Sequence, residues 1–438
     1  MDVLVDRCAG LDVHKDTVMA VVRRPAANGS GREQEVRRYR TFTAALRELR
    51  AWLLAERVTQ VAMEATGSYW KPVWHVLEAE IGYELLLCNP RHVKNLPGRK
   101  TDVSDAAWLA QLLECGLLRG SFVPSPVMAR LRDLTRYEKK LTEERTREIQ
   151  RVQRVLEDAG IKLDSVASDV MGKSARAMLE ALIAGERDPA VLADFAQTRM
   201  RVKIPELRLA LEGGFSEHHA LLLRMLLDHI DHLTAAIDRL DAQVEVEVAP
   251  FSKAVDLLCT IPGLGRRTAW VFLAEAGADM SRFPTAAHLA SWAGLCPGNP
   301  ESAGKRPSGR ARKGDTALRT AMVEAAWAAT RARTTYLGAQ YQRFRRRFGR
   351  GSETKAIFAV AHTMLVMAWH ILAQQEPYEE LGVDFFTRDA RIPRLTPDAS
   401  PATSRSSAST SLSSPTPPEP TLVIYRGSAV ELPHACRQ

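Results

Sequence analysis

The sequence has no C-x-x-C pair. Its six cysteines, Cys8, Cys88, Cys115, Cys259, Cys296 and Cys436, are scattered over 438 residues. That excludes the ligand spacing of a structural zinc site and any disulfide framework, and points to reduced thiols in a cytoplasm. A secretory leader is missing too, because Met1 to Arg7 is too short and too charged to serve as one. No apolar run has the full length of a membrane span. The nearest, Ala356 to Leu372, is slightly short and contains His362 and His370, so it is expected as a buried helix and no membrane as a partner. Acid is in deficit, with 52 Asp and Glu against 60 Lys and Arg, a formal net charge of +8 and a pI of about 9.2. An anionic partner follows from that balance. What is present is the composition of a soluble globular protein, 45% hydrophobic and 26% charged, long enough for two or three domains.

The chain is organised around Lys100 to Leu109, where Asp102 and Asp105 stand at the start of an expected helix continued by Trp108, Leu109, Leu112 and Leu113. Residues three apart share a helix face, so the two carboxylates point the same way. A helix N-terminus favours one acid; a second, with no base between them, suggests an added cation. The plainer alternative is a capping Asp102 with a solvated Asp105.

Upstream of that helix, the pattern predicts three strands (Arg7 to Val13, Val18 to Arg24, Glu33 to Tyr39) and a helix from Phe42 to Leu54. Then come a strand from Gln60 to Ala65, a helix from Tyr69 to Glu80, a strand from Tyr83 to Leu87 and a basic loop. This is the order of a ribonuclease-H-like α/β sheet, in which the first strand, the fourth strand and a late helix donate acids. Asp12, Glu64, Asp102 and Asp105 occupy those places. A carboxylate in an apolar strand is costly unless paired or metal-bound. Four of them form a set of hard oxygen ligands suited to Mg²⁺ or Mn²⁺, and two such ions can activate a nucleophile and stabilise the leaving oxygen of a phosphodiester.

Beyond Pro126 the chain is expected to be helical. Leu131 to Leu156 reads as a long exposed helix rich in Arg and Lys, either a salt-bridged solvated face or a face for a nucleic-acid backbone. Leu223, Leu226, Ile230, Leu233, Ile237, Leu240 and Val244 form a heptad seam that can pack on the Leu131 helix or pair between chains. Ile261 to Ala276 resembles a helix-hairpin-helix, with Gly263 and Gly265 letting backbone N–H groups approach a phosphate; an ordinary tight turn is the alternative. Gly294 to Asp315 is a glycine-rich loop carrying Lys305, Arg306, Arg310, Arg312 and Lys313 around Ser302 and Ser308, and it ends at a helix starting near Asp315. Such a loop suits a phosphodiester. Arg343 to Arg350 adds a basic cluster with Phe344 and Phe348 interleaved, and past Arg391 the Ser, Pro and Thr content is too high to fold alone.

Taken jointly, Gly10-Leu-Asp-Val-His-Lys, Met63-Glu-Ala-Thr-Gly-Ser-Tyr-Trp, Lys100-Thr-Asp-Val-Ser-Asp, Ile261-Pro-Gly-Leu-Gly, Leu289-Ala-Ser-Trp-Ala-Gly-Leu-Cys-Pro-Gly, and Ser302-Ala-Gly-Lys through Arg312-Lys-Gly-Asp with Leu318-Arg resemble the IS110 family of insertion-sequence transposases, over roughly residues 8 to 375. The resemblance implies a RuvC-like domain (1–125) with a four-acid Mg²⁺ centre at Asp12, Glu64, Asp102 and Asp105. It further implies a helical coiled-coil segment (126–250) and a mainly α transposase domain (251–375) with a serine nucleophile; 376–438 is expected as a largely disordered tail. The serine maps to Ser302, with Ser308 as the fallback, because Ala303 stands where the family usually has Gly. In the family, DNA is cut and joined through a phosphoserine, a bridge RNA pairs with target and donor DNA, and the protein works as an oligomer, here a dimer or tetramer. The rival readings are a RuvC-like nuclease or junction resolvase that uses water, and a non-catalytic nucleic-acid-binding scaffold.

Overall fold

The computed structural model describes residues 3–26, 31–79, 82–94, 105–298, 311 and 313–388, which fall into two compact units meeting between Val123 and Pro124.

The first unit is built on β-rich sequence. Strands β1 (Cys8–Val13), β2 (Thr17–Pro25), β3 (Arg32–Arg40), β4 (Gln60–Glu64) and β5 (Glu84–Cys88) form one sheet in the order β3-β2-β1-β4-β5. The first three strands pair antiparallel; β4 and β5 run parallel to β1. Helices α1 (Thr43–Ala55) and α2 (Trp70–Leu77) provide the crossovers that parallel pairing needs. They bury Leu46, Leu49, Trp52, Leu53, Val73, Trp74 and Leu77 against Ala9, Leu11, Val61 and Met63. A short helix, α3 (Pro90–Lys94), follows β5.

The opposite face of the sheet is covered by α4 (Asp105–Glu114), through Trp108, Leu109, Leu112 and Leu113 on Cys8, Ala62 and Cys88, and through Ala106, Ala107 and Ala110 on Val21. Gly10 is what lets the helix lie so close: a Cβ there would stand 2.1 Å from the Ala106 carbonyl oxygen and 2.5 Å from the Ala110 nitrogen. The Cys8 thiol donates to the Ala110 carbonyl at 3.3 Å, so α4 runs against the direction of β1. At its far end, buried Glu114 holds Arg23 (2.9 Å) and Arg32.

The second unit starts with two long antiparallel helices, α5 (Pro126–Asp158) and α10 (Glu217–Val248). Met128 and Leu131 meet Val244 and Val248 at one end, Leu141 meets Leu233 and Ile237 in the middle, and Val152 and Leu156 meet Leu223 and Leu227 at the other. The heptad residues therefore find a partner within the chain. Between the two helices, α6 (Leu163–Val166), α7 (Lys173–Ile183), α8 (Pro189–Asp194) and α9 (Ile204–Ala210) close a core of their own around Met178, Leu179, Leu192 and Leu207. The expected long exposed helix is in fact partly buried. Its Arg130, Arg132, Arg136, Lys139 and Arg151 are bound to Glu247, Glu275, Glu275 with Asp315, Glu324 and Glu148 respectively. These five are salt-bridged, but four of them to acids outside α5 and not as a solvated face.

The remainder is helical: α11 (Ser252–Cys259), α12 (Arg266–Ala276), α13 (Ala286–Ala293), α14 (Thr316–Ala329), α15 (Tyr336–Phe348), α16 (Glu353–Gln374) and α17 (Phe385–Arg388). Among the described residues α16 is the one helix long and apolar enough to cross a membrane, and it forms the centre of this core, with Ile357, Val360, Met364, Leu365 and Ile371 buried. Residues 124–388 thus form one unit in which the helical segment and the C-terminal region share a core. The expected tail boundary at 376 is too early. Tyr378, Leu381, Phe385 and Phe386 pack on that core, and Phe386 stacks on Tyr336 with ring centroids 5.1 Å apart. Residues 389–438 lie outside the described residues.

Gly10→Ala is expected to destabilise the first unit by about 1–3 kcal/mol, the usual cost of forcing atoms into a packed contact. Urea unfolding followed by circular dichroism checks this, and a midpoint equal to wild type would refute the close seat of α4.

Candidate functional site

The acids of the first unit are placed by strand register. Asp12 lies opposite Met19 in the β1–β2 pair, and Glu64 lies beside Cys88 in the β4–β5 pair. Met19 and Cys88 both pack on the α4 side of the sheet, so Asp12 and Glu64 point to that side as well. Along β1 and β4 the last register partners are Leu11 and Met63. One step further come Asp12 and Glu64, level with each other on strands about 4.8 Å apart. Because α4 runs against β1, its first residue, Asp105, lies toward the same end of the sheet.

Both strand acids are half-buried and Asp105 is exposed. Asp12 has His14 Nε2 at 3.2 Å. Glu64 helps hold the neighbouring Cys88 thiol in its protonated form: burial first, and that carboxylate second, push its pKa up to about 12. Cys88 is therefore no nucleophile. Among the described residues no three His, Cys, Asp or Glu side chains stand close enough together to share a metal ion. Asp102 lies outside the described residues. The donor set nevertheless has the right chemistry for a hard divalent cation, being carboxylates on one face at one end of one sheet.

In the second unit the glycine-rich loop is closed at its base. Gly294 ends α13 in the left-handed region (φ 73°), and Pro297 pairs with Ala311 in an antiparallel bridge. Gly314 lies against that end: a Cβ there would be 2.3 Å from the Gly294 nitrogen. The Asp315 N–H donates to the Trp292 carbonyl at 3.1 Å. Asp315 caps α14, its carboxylate accepting from the Leu318 N–H at 2.8 Å, so the helix starts where the sequence placed it. It also faces Arg136 at 3.4 Å, which forks onto the buried Glu275 at 2.7 and 2.8 Å, while Arg132 meets Glu275 at 2.8 Å. Burial is the largest influence on Glu275 and pushes its carboxyl above the usual range; the Arg136 hydrogen bond pulls it back. These ion pairs tie α5, α12 and α14 together at the point where the loop returns to the core. Sequence reasoning missed Glu275 and Arg136 in this role, because partners 139 residues apart leave no local signal.

On the other side of the loop base, His362 of α16 stands beside Leu295 and has the Cys296 thiol 4.0 Å from Nδ1. Lys313 is exposed. Ser302, Ser308, Lys305, Arg306, Arg310 and Arg312 lie outside the described residues.

The turn between α11 and α12 uses its two glycines differently. Gly263 has φ +82° and packs on α14, where a Cβ would stand 2.4 Å from the Ala329 nitrogen. Gly265 precedes α12 with no heavy atom within 4 Å of a Cβ built there, so the backbone at the start of this helix can be approached. Arg266 and Arg267, which follow, pair with Asp256 at 3.8 Å and with Glu138 at 3.3 Å and Asp241.

Comparison with known proteins gives this arrangement its class. Residues 9–161 match a family model described as a transposase, the DEDD domain of IS110, and residues 255–342 match one described as the transposase IS116/IS110/IS902 family. An uncharacterized 43.6 kDa protein of insertion element IS110 from Streptomyces coelicolor is 30% identical over 310 residues, 65% of this chain and 73% of that protein. Pilin gene-inverting proteins of Moraxella bovis and Moraxella lacunata are each 30% identical over 160 residues, 35% of this chain; the match spans about half of their length, 48%. Both matched segments are thus transposase segments. The chain belongs to the IS110 family of insertion-sequence transposases.

The loop base carries a pH dependence. Burial lowers the pKa of His362 from its ordinary 6.5, and that of His370 in the same direction. The unfolded chain takes up protons as pH falls through 6.5 while the folded chain does not, so stability is full above that value and declines below it. Thermal midpoints measured from pH 7.5 to 5 are expected to fall, and to fall less steeply in His362→Asn. An unchanged slope in that variant would refute the burial of the ring.

Proposed function

We propose that this protein is the transposase of an insertion sequence, cutting and rejoining DNA strands with Ser302 as nucleophile and a Mg²⁺- or Mn²⁺-binding centre formed by Asp12, Glu64, Asp102 and Asp105. The observation that carries the reading is the level placement of Asp12 and Glu64 on adjacent parallel strands, on the face covered by the helix that begins at Asp105. Carboxylates spaced this way repel one another unless a cation lies between them. When bound, divalent ions would make a hydroxyl more acidic and offset charge on a departing oxygen.

The chain's own residues supply the rest. Ser302 Oγ attacks phosphorus, the P–O3′ bond breaks, and a serine phosphodiester and a free 3′ hydroxyl result; the proton lost by Oγ balances the one the 3′ oxygen gains. Attack by another 3′ hydroxyl reverses the step and joins new strands. Lys305, Arg306, Arg310, Arg312 and Lys313 hold the phosphodiester and neutralise its charge. The pinned loop base keeps this segment attached to a rigid core, as a reacting group requires. Gly263 shapes the turn and Gly265 opens it, so N–H groups at the start of α12 can meet a DNA phosphate. The excess of base over acid suits DNA and the bridge RNA implied by the family. The same reading includes a homo-oligomer, a ribonuclease-H-like fold for the first unit and a cytoplasmic location.

Ser302→Ala is expected to abolish strand exchange and the covalent protein–DNA adduct while binding of nucleic acid survives. The check is denaturing electrophoresis of wild type and variant with labelled element-end DNA and Mg²⁺. An adduct in the variant would overturn the choice of serine. Mg²⁺-dependent cleavage by wild type without any adduct would make the protein a nuclease that uses water.

A further inference from the structure

The basic cluster of α15 and the exposed aromatic beside it form a surface that the proposed chemistry does not use. Along α15 the sequence Tyr336 to Phe348 contains four arginines and no acid, and Arg343, Arg345, Arg346 and Arg347 are exposed, with Arg350 just beyond. The interleaved aromatics turn inward. Phe344 is buried, and Phe348 stacks on it with ring centroids 5.6 Å apart. The outward aromatic comes from the neighbouring helix. Trp327 of α14 is 44% exposed, and it is the one exposed tryptophan among the described residues. Its ring meets Tyr341 of α15 edge-on at 6.2 Å and 63°. Arg345 lies over Tyr341 at 5.9 Å and is also tied to Glu353 at 3.4 Å. Arg331, two residues past the end of α14, is exposed. Of the acids nearby, Glu324 is engaged by Lys139 and Glu380 holds the opposite end of α15 through the Tyr336 N–H.

An exposed indole held by a packed tyrosine, next to a helix whose exposed residues are arginines, binds one class of partner well. An unpaired base can lie on the indole while the adjoining phosphates meet the guanidiniums. Bases in a duplex are already stacked and offer no free face. We infer that Trp327, with Arg331, Arg345 and Arg346, is a docking platform for single-stranded DNA of the kind exposed when strands are exchanged. The choice of DNA rests on the proposed transposase function; the platform itself does not depend on Ser302 or the acids.

The test uses the full chain in EDTA, so that no cleavage occurs, with fluorescein-labelled single-stranded DNA, duplex DNA and single-stranded RNA of one sequence, read by anisotropy. Trp327→Ala is expected to weaken single-stranded DNA binding about tenfold to hundredfold and duplex binding by less than twofold. Trp327→Phe is expected to restore most of the loss. Arg331→Gln with Arg346→Gln is expected to flatten the salt dependence of binding by about one to two phosphates. Circular dichroism of each variant is expected to match wild type. Folded Trp327→Ala with unchanged single-stranded DNA affinity would overturn the inference, and so would a loss confined to RNA. Failure of wild type to bind any of the DNAs would instead overturn the proposed function along with it.

Discussion

The seat of α4 on β1 is the contact on which the first unit depends. At Gly10 the helix backbone comes to a distance that no side chain permits, with the Ala106 carbonyl and the Ala110 nitrogen filling the space a Cβ would take. Strand register places Asp12 and Glu64, and the close approach of α4 places Asp105. The small residues Ala106, Ala107 and Ala110 form the contact, the helix direction is fixed by Cys8 on Ala110, and Arg23 and Arg32 lock the far end through Glu114. The first residue of the helix is thereby brought to the end of the sheet where β1 and β4 carry Asp12 and Glu64 at the same level.

The second unit solves a comparable problem with charge. A loop of more than a dozen residues is costly to close and cannot by itself fix a reacting group. Here its two ends are brought together by Gly314 on Gly294 and by the Pro297–Ala311 bridge, and Asp315 caps the helix that follows. Behind that cap Arg136 bridges Asp315 and Glu275. A fully buried carboxylate with two guanidiniums is costly to assemble and costlier to break, since loss of one partner leaves an unpaired charge in the interior. Such a group resists slippage between α5, α12 and α14, which gives the loop a defined anchor.

Much of this was legible from the residues. Short apolar and β-branched runs bounded by turn-forming or charged residues marked every strand of the sheet within a residue or two. The start of α14 near Asp315 was legible because Asp before an apolar run has a local meaning. What was hidden was tertiary. Gly10, Gly263 and Gly314 look alike in a sequence, and only the partner backbone shows why each lacks a side chain. The arginines of α5 read as a solvated or nucleic-acid-facing row, yet their acids lie on α10, α12 and α14. Phe344 and Phe348 read as part of a basic-aromatic face, whereas the helix turns them into the core and an alanine-flanked tryptophan on α14 takes the surface. Phe385 and Phe386 were counted with the tail because four residues of helix are too short for a period to show.

The central claim is that acids remote in sequence share divalent ions at the end of this sheet. The most direct measurement is a titration with Mn²⁺ followed by electron paramagnetic resonance, on wild type and on Asp12→Asn, Glu64→Gln and Asp105→Asn. The account predicts bound Mn²⁺ in wild type, displaced by Mg²⁺, and weakened binding in each variant with the circular dichroism unchanged. Mn²⁺ binding equal to wild type in all three would contradict it.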